Sequence, residues 1–166
     1  MMPNLRMTLI VIVILAVLLV YVPAHLLRWD GHVRGALKPL LSYSGALLFI
    51  MGFALSFSGV YYLIRRGGGI PPLCRAAKRL VVAGPYSHLQ HPILLGLLVM
   101  LFGEALWLCS TSVGVYAVVL AIVSHSYVVY IEEPRLIQRF GRDYQAYQRA
   151  VPRWLPHVAS RRDKEG

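Results

Sequence analysis

Charge is scarce in this chain, and acid is scarcer than base. Of 166 residues only 14% are charged, with 7 Asp and Glu against 17 Lys and Arg, for a net charge of +10. A soluble domain carries about 25% charged residues. The deficit excludes an ordinary water-soluble surface over the whole chain. Cysteine is scarcer still: Cys74 and Cys109 are the only two. They have no Cys-x-x-Cys spacing and no His or Cys cluster beside them. That excludes a disulfide framework and a zinc site, and no metal is expected. The length allows one domain, residues 1–166. The net positive charge would suit nucleic acid. However, a nucleic-acid surface gathers its basic residues on a folded face, whereas here they lie between long apolar runs. No nucleic-acid partner is expected.

What the chain has in quantity is apolar length. Hydrophobic residues make up 57%, and the mean hydropathy is +0.59. Four runs are long enough to cross a bilayer, at residues 8–27, 39–64, 93–110 and 113–131. The 26-residue second run fits a tilted span. The first run is too long for a signal-peptide core and has no clean cleavage site after it, so it reads as a retained helix. The last two runs are joined by Cys109-Ser110-Thr111-Ser112 and form a helical hairpin. The fold class expected is all-α: a polytopic membrane bundle of about four transmembrane helices, with a C-terminal amphipathic cytoplasmic helix.

Orientation follows from the Lys and Arg placement. With the N-terminus inside, 14 of these residues fall on the inner side and 3 on the outer. Both termini are therefore expected to be cytoplasmic.

Two segments are richer in polar chemistry than a lipid anchor needs. The first is 80–96. It contains Gly84-Pro85-Tyr86-Ser87-His88-Leu89-Gln90-His91-Pro92 and ends at Gly96. Pro92 keeps His91 out of the α conformation and starts the third span, so His91 stands at a helix N-terminus. Such termini receive anionic groups. The second segment is 132–156. Glu132-Glu133-Pro134 is expected to stop the fourth span and open a new helix. Leu136, Phe140, Tyr144, Tyr147 and Val151 then recur at helical steps. That stripe predicts an amphipathic helix able to lie on the inner leaflet or close over a site.

Taken together, Gly84-Pro85-Tyr86, His91-Pro92-x-x-x-Gly96, Glu132-Glu133, Phe140-Gly141, Tyr144, Tyr147 and Val151-Pro152 resemble a known family. It is that of the isoprenylcysteine carboxyl methyltransferases and the related phospholipid N-methyltransferases. Those enzymes carry Arg-His-Pro-x-Tyr-x-Gly, then a helical hairpin, then Glu-Glu and a Val-Pro tail. The resemblance covers residues 81–156. This chain has Gln90 for the motif's Arg, Leu94 for its Tyr, and Ala150 for the Arg before Val-Pro. The resemblance implies S-adenosylmethionine held at the cytosolic membrane face and a lipophilic methyl acceptor entering from the bilayer. Its implied cofactor-binding residues are Gly84, Tyr86, His88, Gln90, His91, Pro92, Gly96, Glu132 and Glu133.

The residues themselves can do that chemistry. Methyl transfer from a sulfonium mainly needs alignment and exclusion of water. Glu132 or Glu133 can hold the donor's ammonium, and the His91 helix end or an arginine its carboxylate. Tyr86 can stack on the adenine. The candidates for catalysis are Glu132, which like His88 can take up a proton from an amine or thiol acceptor, and Arg149 and Arg153, which can position a carboxylate acceptor. Within the spans, His125 is close enough to the inner end to line an acceptor pocket, and Glu104 reads as structural. Two other functions fit the pattern less well. A sterol-reductase-like enzyme would use NADPH, whose phosphates the acid pair repels. A non-enzymatic anchor would leave His91 and the glutamates without a task.

Overall fold

A computed structural model describes residues 13–30, 38–67 and 80–154, and these are entirely helices, turns and connecting segments. Cys74 and the basic residues of 68–79 lie outside the described residues, as do Leu155 and Pro156. Six helices follow in order: α1 (Val13–Leu26), α2 (Lys38–Gly67), α3 (Pro92–Trp107), α4 (Thr111–Tyr127), α5 (Glu133–Phe140) and α6 (Arg142–Ala150).

The helices are built around close approach rather than bulk. On α2, Gly45, Gly52 and Gly59 recur every seven residues, close to two helical turns, and form one stripe. On α3, Gly96 and Gly103 do the same. A Cβ on Gly45 would strike the backbone of Gly103 and Trp107, one on Gly52 the backbone of Gly96 and Met100, and one on Gly59 the Ile93 side chain. The contacts therefore run in reverse order along the two helices, which are antiparallel with their backbones touching. Ser42 and Ser56 donate across the interface to the carbonyls of Trp107 and Ile93, each at 3.0 Å. The opposite face of α2, including Leu40, Leu47, Phe53 and Phe57, is exposed and apolar.

The α3–α4 hairpin packs through Leu101, Ala105, Val113 and Ala117, with Leu19 and Leu26 of α1 against them. Its tight turn is closed by Cys109 at φ 50° and by Ser110, whose hydroxyl caps α4 by accepting from Val113 N at 3.1 Å. Asp30, just after α1, accepts from the hydroxyls of Ser110 and Ser112 and from Ser112 N. A carboxylate at the start of α4 complements the helix dipole and ties α1 to the hairpin.

The structure departs from the sequence expectation in two places. Glu132-Glu133-Pro134 does not stop α4. The chain passes through a π turn at Val128–Glu132 and continues as α5, forming one helical rod, Thr111–Phe140. Proline removes a backbone donor and crowds the carbonyl four residues back; the wider π turn accommodates both. The tail is also not one helix. It breaks at Gly141, which sits at φ 55°, ψ −126°, a conformation an L side chain resists. By length and composition, Lys38–Gly67 and Thr111–Phe140 are able to cross a membrane, whereas Val13–Leu26 and Pro92–Trp107 are apolar but shorter. At about 1.5 Å per residue the 16 residues of α3 span about 24 Å, less than a full hydrocarbon core of about 30 Å.

Candidate functional site

The two polar segments meet where α3 begins and the α4–α5 rod turns through its π segment. Three features of the chain force this. First, Gly84, at φ 62°, lets the Gly84–Ser87 turn lie on the Tyr62 ring of α2, where any Cβ would collide. Second, Pro92 starts α3 and leaves His91 at its N-cap. Third, Gly141 folds α6 back so that Tyr144, Tyr147 and Val151 bury themselves with Leu80, Leu136, Ile137 and Phe140. The apolar stripe of the tail therefore packs against protein.

Polar bonds sew the tail to the first segment. Tyr147 donates its hydroxyl hydrogen to the Tyr86 carbonyl at 2.6 Å, with the Leu89 carbonyl at 3.2 Å. Gln90 N donates to Pro152 O at 3.1 Å, and Gln90 Nε2 donates to Val151 O and more distantly to Gln148 O. Burial pushes the Tyr147 and Tyr86 phenols above their usual range, with Glu132 adding to the effect at Tyr86. Both stay protonated and neutral at physiological pH.

At the centre stands His91, 7% exposed. Its Nδ1 lies 3.6 Å from Glu132 Oε2, and its buried Nε2 has no hydrogen-bond partner among the described residues. Burial dominates its titration and pulls the imidazole down to about 4; Glu133 opposes this shift and Arg153 reinforces it. His91 is thus neutral at pH 7, and its contact with Glu132 is not an ion pair. The adjacent acids part company. Glu133 is buried and receives two bonds from Arg153, from Nε at 2.6 Å and from an Nη at 3.0 Å. Among the described residues Glu132 has no guanidinium partner, and it faces His91.

Of the residues singled out from the sequence, Tyr86, Gln90, His91, Pro92, Glu132, Glu133 and Arg153 lie around this junction. Arg153 is committed to Glu133, which makes it a strap for the tail. Arg149 is exposed and lines an open cavity of about 530 Å³ with Gln90, Gln148 and Arg153. His88 is exposed, with its Nδ1 2.8 Å from the Ser87 hydroxyl. Gly96 is directed at α2, where a Cβ would strike Gly52 O and Ser56 Oγ, so its smallness serves helix packing.

Sequence reasoning passed over Trp154. Its indole N–H donates to His125 Nδ1 at 3.1 Å, and its ring lies 6.1 Å from the rings of both His91 and His125. A tryptophan directly after an arginine, just past Val-Pro, was the available signal.

The chain matches the phospholipid methyltransferase family over residues 41–143, more than half its length. It belongs to that family. No curated protein matches the chain significantly. The matched region runs from α2 through the start of α6, so it includes His91, Glu132 and Glu133, while Arg153 and Trp154 lie beyond it. Membership makes this a methyltransferase-family protein of the membrane type, in keeping with its two long apolar helices.

Proposed function

We propose that this protein is an S-adenosylmethionine-dependent methyltransferase of the cytoplasmic membrane face, acting on a lipophilic acceptor. The observation that carries the reading is the junction of His91 and Glu132: a buried neutral imidazole whose Nε2 has no partner among the described residues, beside a carboxylate that no described arginine pairs. A buried polar atom without a partner is costly unless a ligand meets it.

The donor set suits the cofactor. Glu132 would hold an ammonium, His91 Nε2 would meet a polar edge, and Tyr86 offers an aromatic face for adenine. When bound, the cofactor supplies an electrophilic methyl group. This chain's own residues do the rest. With the cofactor bound, α6 and the Arg153 strap would lie over the junction and limit the entry of water. With an amine acceptor, a proton must leave the nitrogen, and the Glu132 carboxylate is the nearby group able to take it. His91 titrates too low to serve. The family favours a phospholipid-like acceptor.

For topology we adopt four spans, formed by α1, α2, α3 and the α4 portion of the rod, with both termini inside. The Lys and Arg bias supports this, and it brings the junction to the inner surface. Isothermal titration of purified protein with S-adenosylhomocysteine tests the reading. Binding that disappears in Glu132→Gln and His91→Ala is expected; no heat at millimolar ligand refutes it.

A further inference from the structure

His125 lies on α4 where the outward face is largely apolar: Val119, Ile122 and Val123 are exposed around it, with Ser124 and Ser126 partly exposed on either side. It too is exposed. An imidazole in such a face costs free energy unless it has work to do. The tail supplies half of the explanation. Trp154 Nε1 can only donate, so His125 Nδ1 must accept, and the neutral ring then carries its hydrogen on Nε2. Among the described residues that Nε2 bonds to nothing.

The placement follows from the rod. In a regular helix, a residue seven positions after His125 would share its face. The π turn at Val128–Glu132 adds about one residue to that interval, which makes Glu133 the one aligned with His125. Two consecutive tail residues then grip the same face of the rod: Arg153 holds Glu133 and Trp154 holds His125. The indole thereby spans the distance from His91, in the junction, to the bilayer-facing flank.

We propose that His125, locked by Trp154 as the Nε2–H tautomer, is the headgroup subsite for the methyl acceptor, and that its N–H donates to an anionic oxygen the acceptor carries beside its nucleophile. This rests on the methyltransferase reading above. A fixed N–H donor at the edge of the apolar face selects amphiphiles whose headgroup bears a phosphate or carboxylate oxygen. It does nothing for a neutral hydrocarbon. Aromatic Trp154 at the same level suits the membrane–water boundary.

The test uses full-length protein in detergent and two acceptors: vesicles containing phosphatidylethanolamine, and a farnesylated cysteine bearing a free carboxylate. Each is assayed with labelled S-adenosylmethionine, alongside titration with S-adenosylhomocysteine. For whichever acceptor is methylated, His125→Phe should raise KM by about tenfold or more, the scale of a lost bond to a charged group. In the same variant kcat should stay within about threefold and S-adenosylhomocysteine affinity within about twofold. His125→Gln keeps a donor and an acceptor and should restore most of KM. Trp154→Phe keeps the ring but frees the tautomer and should fall between. The acceptor that responds tells phosphate from carboxylate. An unchanged KM in His125→Phe overturns the proposal. So does loss of cofactor affinity in that variant, which would make the pair merely structural. Wild-type protein that binds S-adenosylhomocysteine but methylates neither acceptor overturns it as well. Wild-type protein that binds no S-adenosylhomocysteine refutes the methyltransferase reading itself, and the subsite falls with it.

Discussion

Arg153→Ala should loosen the tail, and the geometry fixes how far. The Glu133 side chain is 7% exposed and that of Arg153 48%. The variant leaves a buried carboxylate without its counter-charge and without two hydrogen-bond donors. Breaking a fully buried pair costs about 3–5 kcal/mol, whereas an exposed pair contributes about 0–1 kcal/mol. Half of this guanidinium is in solvent, so the cost should fall between these limits, at about 2 kcal/mol. In a domain of 150–250 residues each kcal/mol moves Tm by about 2–4 °C. Thermal unfolding in detergent, followed by circular dichroism, should therefore show Tm lowered by about 4–8 °C. The cycle through Glu133→Gln, Arg153→Gln and the double variant isolates the pair itself and should return a coupling above about 1 kcal/mol. A Tm within about 1 °C of wild type, or strictly additive losses in the cycle, would refute the strap.

Other outcomes follow from the same structure. His91 titrates at about 4 in the folded chain against 6.5 unfolded. Its stabilising share is intact above pH 6.5 and is lost as pH falls from there towards 4, to a limit of about 3 kcal/mol. Tm measured between pH 7 and pH 4 should fall more steeply for wild type than for His91→Gln; parallel curves would mean that burial does not govern this ring. Gly103→Ala drives a methyl into the α2 backbone at Phe49 and Gly45 and should cost about 2 kcal/mol or more. Gly114→Ala, with only an ordinary contact at 4.0 Å, should be neutral or stabilising by about 0.5 kcal/mol. Equal effects on chemical denaturation would contradict the packing of α2 on α3. Asp30→Ala removes the carboxylate at the start of α4 and should cost about 1–2 kcal/mol in the same assay, whereas Asp30→Asn, which keeps an acceptor, should cost less.

Helix existence was legible because apolar runs of this length have few alternatives. Helix ends were legible where a residue forbids continuation, as at Pro92. At Pro134 the same rule misled. A proline ends a helix only if its neighbours cannot yield, and here a π turn absorbs it. Gly141 was visible but silent, since a glycine within a helical stripe permits a break without requiring one. The glycine stripe of α2 was readable as close packing, but its partner was not, because Gly96 and Gly103 belong to a different run. Gly96 also sat inside a motif, which drew attention to chemistry and away from packing.

The site was legible by residue type but not by role. Glu132 and Glu133 are neighbours of the same chemistry, and nothing in their order says which is free. The distinction arises from helical phase. Adjacent residues on a helix point about 100° apart, so one strap residue can reach only one of them. The π turn then determines which acid lies in line with His125 under the tail. Arg153 takes Glu133, and Glu132 is left beside a neutral imidazole. Removing one residue from the π turn restores a regular helix in which Glu133 stands seven positions after His125, so it should stay in line with His125 under the tail. In a Tyr130 deletion, the thermal loss caused by Arg153→Ala should then remain sensitive to Glu133→Gln and insensitive to Glu132→Gln. If Glu132 becomes the sensitive partner in the shortened rod, local contacts rather than helical phase assign the two roles.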